Sequence, residues 1–343
     1  MWSQMAKVDY QKILEDHWKM HLAPRSPDAP TVISTFAGCG GSSLGYSMAE
    51  FKELLAVEWD DNAVATFKLN FPEVPVYHGN IAKLSVEEVL QFTGLKPGEL
   101  DILDGSPPCQ GFSTAGKRCM DDDRNQLFRE YVRLLRGLQP KVFVMENVSG
   151  MVKGKMKLIF AEILRELKAS GYEVSARLLN AMYFNVPQSR ERMIFVGVRN
   201  DLEKMPSHPI AISHPIIIKD ALLGLKETRD YQFITSEKER SLWHKCKPGE
   251  SFADHDINGN YYTSGKLNPN VVSGTILKDH GSNSFHWGKP RKLTITELQR
   301  LASFPDGFTF CGSYPACKER IGNCVPPLFM HAIASHIRSK ILS

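Results

Sequence analysis

From Thr31 to Arg199 the sequence alternates short apolar runs with amphipathic stretches. The runs TVISTF, ELLAVEW, VPVYHG, DILDGS, KVFVMEN, EVSARLLN and RMIFVGV predict strands. Between them, DNAVATFKLNF, SVEEVLQFT, QLFREYVRLLRGL and KLIFAEILRELKAS predict helices. A strand–helix rhythm of this kind predicts an α/β fold built on a mostly parallel sheet, with helices on both faces.

The rhythm does not extend over the whole chain. Residues 1–30 read as one amphipathic helix, Tyr10 to His21, followed by a Pro-rich linker. After Arg199 the chain turns rich in His, Gly, Asn, Ser and Lys, with short β-like pieces at NGNYYTSG and NVVSGTIL. The expected organisation is therefore 1–30, a main α/β domain at 31–199, a smaller irregular β-containing domain at 200–290, a bridging helical segment at 291–320, and a C-terminal helix at 321–343 that returns to the main domain.

Composition narrows the setting. No apolar run approaches the length of a membrane span, and the charged N-terminus lacks the features of a signal peptide. Seven cysteines, an odd number at irregular spacing, fit no disulfide framework and point to a reducing cytoplasm. Residues 1–200 carry 24 basic and 24 acidic side chains, so the net charge of +4 lies wholly in the C-terminal part, where a polyanion contact is most readily placed. His208, His214, His244, Cys246 and His255 match no zinc spacing, and no metal is expected.

Four clusters carry chemistry. Phe36-Ala-Gly-Cys-Gly-Gly41 follows the first strand, where glycines let a ligand approach the backbone. The second strand ends in Glu58-Trp59-Asp60: a carboxylate suited to ribose hydroxyls beside an indole suited to stacking on adenine. The third ends in Gly79-Asn80-Ile81. Three such strand ends make an adenosine site at the carboxyl edge of the sheet, a pattern a nicotinamide oxidoreductase would share.

Next, Gly105-Ser-Pro-Pro-Cys-Gln-Gly-Phe-Ser113 follows the fourth strand. A lone cysteine is more often a small buried hydrophobe. Cys109 is set apart by two stiff prolines before it and by Gly111, Gly116, Lys117 and Arg118 after it, the makings of a glycine-hinged loop able to meet phosphates. Glu146-Asn147-Val148 ends the next strand, where a carboxyl can neighbour the cysteine. Finally, Gln188-Ser-Arg-Glu-Arg192 leads into the last strand, and Arg190 and Arg192 alternate so as to point the same way if extended.

Taken in order, FAGCGG, EWD, GSPPCQGFS, RNQLF, ENV, QSRER, RKLTITELQRLASFPD and GNCVP resemble the C5-cytosine DNA methyltransferases of bacterial modification systems. The resemblance covers nearly all of the chain from Thr31 except about residues 200–268. It implies a class I methyltransferase (Rossmann-like) fold and transfer of a methyl group from S-adenosylmethionine to C5 of a flipped-out cytosine in duplex DNA. S-adenosylhomocysteine would be the product, and 200–290 the target-recognition domain. It also implies a cytoplasmic, nucleoid-associated monomer, acting alone or beside a separate restriction endonuclease.

The resemblance assigns roles residue by residue. Cys109 matches the nucleophile, Glu146 the glutamate facing cytosine N3, and Arg192, supported by Arg190, the arginine that holds the base. Phe36, Gly38, Cys39, Gly41, Glu58, Trp59, Asn80, Ile81, Pro108, Leu127 and Asn323 fall at cofactor-binding positions. Gln110, Ser113, Lys117, Arg118, Arg124 and Gln188 are expected at the DNA. Two positions depart from the family pattern: Ser34 and Asn80 stand where the family usually has acidic residues. The competing readings are a tRNA cytosine methyltransferase, whose branch carries a Cys-Phe-Thr signature absent here, and an idle DNA-binding regulator, against which the intact Cys109, Glu146 and Arg192 argue.

Overall fold

The computed structural model describes residues 8–108, 123–152, 156–226, 231–278 and 284–343. After α1 (Tyr10–Leu22), the chain forms β1 (Thr31–Thr35), α2 (Gly41–Met48), β2 (Lys52–Glu58), α3 (Asp61–Asn70), β3 (Val76–His78) and α4 (Val86–Thr93). It continues through β4 (Ile102–Gly105), α5 (Asp123–Leu138), β5 (Val142–Val148), α6 (Met156–Ala169), β6 (Tyr172–Asn180) and β7 (Glu191–Arg199). Every strand and helix expected between Thr31 and Arg199 is present, within a few residues at each end.

These strands form one seven-stranded sheet in the order β3-β2-β1-β4-β5-β7-β6. Within it β7 alone runs against its neighbours β5 and β6. The strand order reverses between β1 and β4, the place where open α/β sheets leave a crevice at the carboxyl ends of their strands. Because β7 is reversed, its first residues lie at that same edge.

The inner strands β4, β5 and β7 are buried over most of their length because helices cover both faces of the sheet. One core gathers Ile33, Leu55, Leu103, Leu135, Phe143 and Phe195, all at most 2% exposed. Gly105 at the end of β4 admits no larger residue, since a Cβ there would lie 2.4 Å from Thr35 Oγ1 and 2.7 Å from the Tyr131 ring. Local signals set the helix starts. Asp60 caps α3 by accepting from the Ala63 amide, and Ser85 with Glu88 forms a reciprocal capping box on α4.

The chain divides into two compact units. Met20–Asn180, Glu191–Ile210 and Phe329–Ser343 form the sheet unit; Met1–Lys19, Ala181–Arg190 and Ala211–Leu328 form the other. This division differs from the expected boundaries: the loop between β6 and β7 and residues up to Lys19 fall in the second unit, and residues 200–210, expected in the smaller domain, fall in the sheet unit.

The second unit contains α7 (Ile218–Ala221), α8 (Glu237–Lys245), β8 (Gly265–Lys266), β9 (Ser284–Phe285), α9 (Ile295–Leu301), α10 (Tyr314–Asn323) and the start of α11 (Pro327–Lys340). A small core joins Ile234, Leu242, Trp243, Cys246, Phe252 and Phe285, with Phe252 and Phe285 stacked at 4.7 Å. The β-like stretch NVVSGTIL forms no strand. It pairs instead with the loop at 187–190: Ser273 N donates to Pro187 O, Ser189 N to Ser273 O, and Thr275 Oγ1 to Ser189 O. NGNYYTSG contributes only its last residue to β8. The motif RKLTITELQRL proves to be a buried latch. Arg291 grips Glu297 with two nitrogens at 2.7 and 2.8 Å, while Thr294 caps α9. Arg300 is tied to Asp306, and its carbonyl accepts from Tyr10.

Candidate active site

The sheet edge formed by the ends of β1, β2 and β3 carries the expected adenosine residues. Phe36, directly after β1, adopts a left-handed conformation with φ of 55°. That geometry costs a non-glycine residue about 1–3 kcal/mol, and such strain is characteristic of functional turns. Gly38 (φ 56°) and Gly40 (φ 95°) continue the turn into α2. At Gly40 a side chain would meet Phe71 at 2.5 Å, so this position also needs glycine for space. Cys39 is buried at 2% exposure and Gly41 begins α2.

Glu58 is the keystone of this edge. Its Oε2 accepts from Gly38 N at 2.7 Å, and its Oε1 accepts from Trp59 N at 2.8 Å and Asp60 N at 3.0 Å. Three amides thus fix the carboxylate at 8% exposure and bind the glycine-rich turn to the end of β2. Beside it, the Trp59 side chain is 76% exposed, an extensive apolar surface available to a planar ligand.

Asn80 uses its Oδ1 to cap the short turn that follows, accepting from Ala82 N at 2.9 Å. The Ile81 side chain lies in the core at 4% exposure, so a ligand here would meet its backbone. Leu127 packs on the same core and Pro108 is exposed. Asn323 is the exposed last residue of α10, in the second unit.

Glu146 and Arg192 come together at the same sheet edge. Arg192 Nε lies 2.6 Å from Glu146 Oε1, with the side chains only 14% and 12% exposed. Antiparallel pairing of Val148 with Arg192 brings them within reach. Asn147, between Glu146 and Val148, donates from Nδ2 to Pro107 O at 3.1 Å and tethers the end of β5 to the segment leading into Cys109. The sequence signal for this tether is the place of Asn147 between Glu146 and Val148.

Cys109, Gln110, Ser113, Lys117 and Arg118 lie outside the described residues, as does the side chain of Arg124. Two other assignments differ from expectation. Gln188 was expected at the DNA, yet it is 1% exposed; its Nε2 donates to Leu301 O and its Oε1 accepts from Ile276 N. Arg190 was expected to point with Arg192. It precedes β7, so strand alternation does not apply, and its guanidinium donates to the carbonyls of Gly322 at 3.0 Å and Ile276 at 3.4 Å. Both residues brace the second unit.

Among the described residues, Cys246, Glu250 and His255 form a group with potential metal-ligand atoms within 4.8 Å. Glu250 Oε2 is already taken up by the Lys247 amide at 2.7 Å and by His255 Nε2 at 2.9 Å, the pattern of a braced turn.

Beneath α2 lies a set of acidic and hydroxyl side chains that motif reading did not single out. Asp104 on β4 is 3% exposed and accepts from Tyr46 Oη at 3.1 Å, while Ser43 Oγ donates to Glu53 Oε1 at 2.8 Å. Burial pushes the Asp104 carboxyl up to about 8, helped by the charges of Glu53 and Glu146 and opposed by Tyr46 and Ser42. Burial likewise pushes Glu53 up to about 7, against the hydroxyls of Ser34 and Ser43.

The family model for the C-5 cytosine-specific DNA methylases matches residues 30–339. A type II methyltransferase of Haemophilus parahaemolyticus, M1.HphI, is 36% identical over 90% of this chain and 86% of its own length. M.NgoPII of Neisseria gonorrhoeae, also a type II methyltransferase, is 31% identical over 93% and 98%. Among solved structures, an E. coli prophage-encoded protein described as a DNA modification methyltransferase superposes with a TM-score of 0.78 at 26% identity, covering 92% of this chain and all of that one. The DNMT2 protein of Spodoptera frugiperda, at 18% identity and a TM-score of 0.68, shares the fold.

Proposed function

Because the chain belongs to the C-5 cytosine-specific DNA methylase family, we propose that it uses S-adenosylmethionine to methylate C5 of a cytosine flipped out of a specific duplex DNA sequence, as the modification enzyme of a restriction-modification system or as an orphan enzyme. The contact between Glu146 and Arg192 carries this reading: an acid and a guanidinium share the sheet edge to which Asn147 ties the segment before Cys109.

The cofactor fits the residues present. An anchored Glu58 carboxylate suits ribose hydroxyls, and the exposed Trp59 indole suits adenine. When bound, S-adenosylmethionine supplies an electrophilic methyl group. The chain supplies the rest. Cytosine C5 is a weak nucleophile, and addition of the Cys109 thiolate to C6 turns the ring into an enamine. Glu146 meets N3, where electron density accumulates, and Arg192 holds O2. Once C5 has taken up the methyl group, loss of the C5 proton to water breaks the C6–S bond, releases the Cys109 thiolate and restores aromaticity.

In a duplex C6 is out of reach, so the base must leave the stack, at a cost of a few kcal/mol. Lys117, Arg118 and Arg124 are assigned to the DNA, and residues 200–290 to target recognition. Such an enzyme works on the bacterial nucleoid, and among the described residues no helix is long and apolar enough to cross a membrane.

Radiolabelled S-adenosylmethionine incubated with duplex DNA, followed by bisulfite sequencing, tests this reading. Label in cytosine at a recurring sequence is expected. Label confined to tRNA would move the protein to the RNA branch, and no label in either would leave the regulator reading.

A further inference from the structure

Ser34 stands where the family usually has an acidic residue, yet its surroundings do not lack one. Ser34 on β1 is paired in register with Asp104 on β4. Registered residues on neighbouring parallel strands lie about 4.8 Å apart and project from the same face of the sheet. A carboxyl attached at either position therefore enters the same space. That space is roofed by the first turns of α2, for Tyr46 donates to Asp104 Oδ1 at 3.1 Å and Ser42 bonds to the same carboxyl. It is also at the reversal of strand order between β1 and β4, immediately below the glycine-rich turn.

We infer that Asp104 supplies from β4 the carboxyl that the family usually places on β1, and that it acts as a positioning residue holding the start of α2, and with it the Phe36–Gly41 turn, in the shape that receives the cofactor. The surroundings of Asp104 support this. A buried carboxyl without hydrogen-bond donors is costly, and here two hydroxyl donors come from the helix whose N-terminus ends the turn. Thr35 Oγ1 also donates to the Asp104 carbonyl at 2.9 Å, so both backbone and side chain of Asp104 are tied to the elements that flank the turn. Glu53 lies on the other side of β1 and is held by Ser43, one residue further along α2. Asp104 and Glu53 thus hold successive residues of the same helical turn.

The inference rests on the cofactor reading above. Its test is relocation of the carboxyl, read as S-adenosylmethionine affinity by titration calorimetry on variants confirmed as folded by thermal melting. Asp104→Ser is expected to weaken binding tenfold or more. The double variant Ser34→Asp with Asp104→Ser is expected to bind within about threefold of the wild type, because the carboxyl re-enters the same space. Tyr46→Phe should weaken binding in the same direction and should not add to Asp104→Asn, a milder change that serves if Asp104→Ser does not fold. Wild-type affinity in Asp104→Ser, or in Asp104→Asn where the former is unfolded, overturns the inference alone. So does a folded relocation variant that binds no better than Asp104→Ser. A wild-type protein that fails to bind S-adenosylmethionine overturns the cofactor reading and this inference together.

Discussion

Arg192 Nε meets Glu146 Oε1 at 2.6 Å across the edge of the sheet, joining residues from β7 and β5 that are 46 positions apart in the chain. Both side chains are largely buried, so the contact is shielded from bulk water. Removing one partner of such a pair leaves an uncompensated charge, which destabilises by about 3–5 kcal/mol when burial is complete and by less here. Arg192→Ala is therefore expected to lower both the melting temperature and activity, the latter by a hundredfold or more. Glu146→Gln also leaves the Arg192 charge unpaired, although it keeps an acceptor for that side chain, so it too should lower the melting temperature while losing activity to a similar extent. Calorimetric melts run beside methyl-transfer assays separate the two effects. Full activity in either variant would remove the pair from the active site.

Cys109 is expected to form a bond to cytosine C6. Duplex DNA carrying 5-fluorocytosine at the target should trap the wild type as an adduct stable to denaturing electrophoresis, because fluorine cannot leave as a proton. Cys109→Ser should form none, since an alkoxide is far harder to generate than a thiolate at neutral pH. Cys246, Cys317 and Cys324 are buried, and their serine variants serve as controls that should still be trapped. An adduct that persists in Cys109→Ser would refute the assignment.

Trp59 offers a clean test of the adenosine edge. Its side chain is 76% exposed, so Trp59→Ala should leave the melting temperature nearly unchanged. Loss of stacking should weaken S-adenosylmethionine about tenfold, in line with the 1–3 kcal/mol that base–aromatic stacking contributes elsewhere. Unchanged affinity by calorimetry would reassign the residue.

Gln188 is expected to matter for stability. It is buried and bonded to Leu301 O and Ile276 N, so Gln188→Ala strands two backbone groups, at a cost of about 1–3 kcal/mol. Denaturant titration should register that loss. Where the variant is folded, its choice of DNA sequence should match the wild type; an altered sequence preference would return Gln188 to the DNA.

The acidic groups under α2 predict a pH dependence of stability. Burial raises Asp104 to about 8 and Glu53 to about 7, so between roughly pH 4 and pH 8 the folded chain binds more protons than the unfolded one. Stability should accordingly fall as pH rises through that window, by at most about 1.4 kcal/mol per pH unit for each proton, and level off above it. Asp104→Asn should flatten the profile. Melting temperatures at constant ionic strength from pH 5 to 9 check this, and an Asp104→Asn profile as steep as the wild type would contradict it.

The sequence by itself determined the elements and the family. Strand runs from TVISTF to RMIFVGV, capping residues such as Asp60 and Ser85, and the ordered motifs around Glu58, Cys109 and Glu146 are local signals, written in neighbouring residues. Only the tertiary structure decided what depends on strand order and register. The reversal of β7 puts Arg192 against Glu146 and leaves Arg190, two residues earlier, bonded to Ile276 and Gly322. The pairing of 187–190 with 273–275 keeps NVVSGTIL from forming a strand and buries Gln188. The register of β1 with β4 sets Asp104 beside Ser34, 70 residues away in the chain. A periodic pattern states which face a residue occupies, but which distant residue shares that face is fixed by hydrogen-bonded register, and that emerges only when the sheet is assembled.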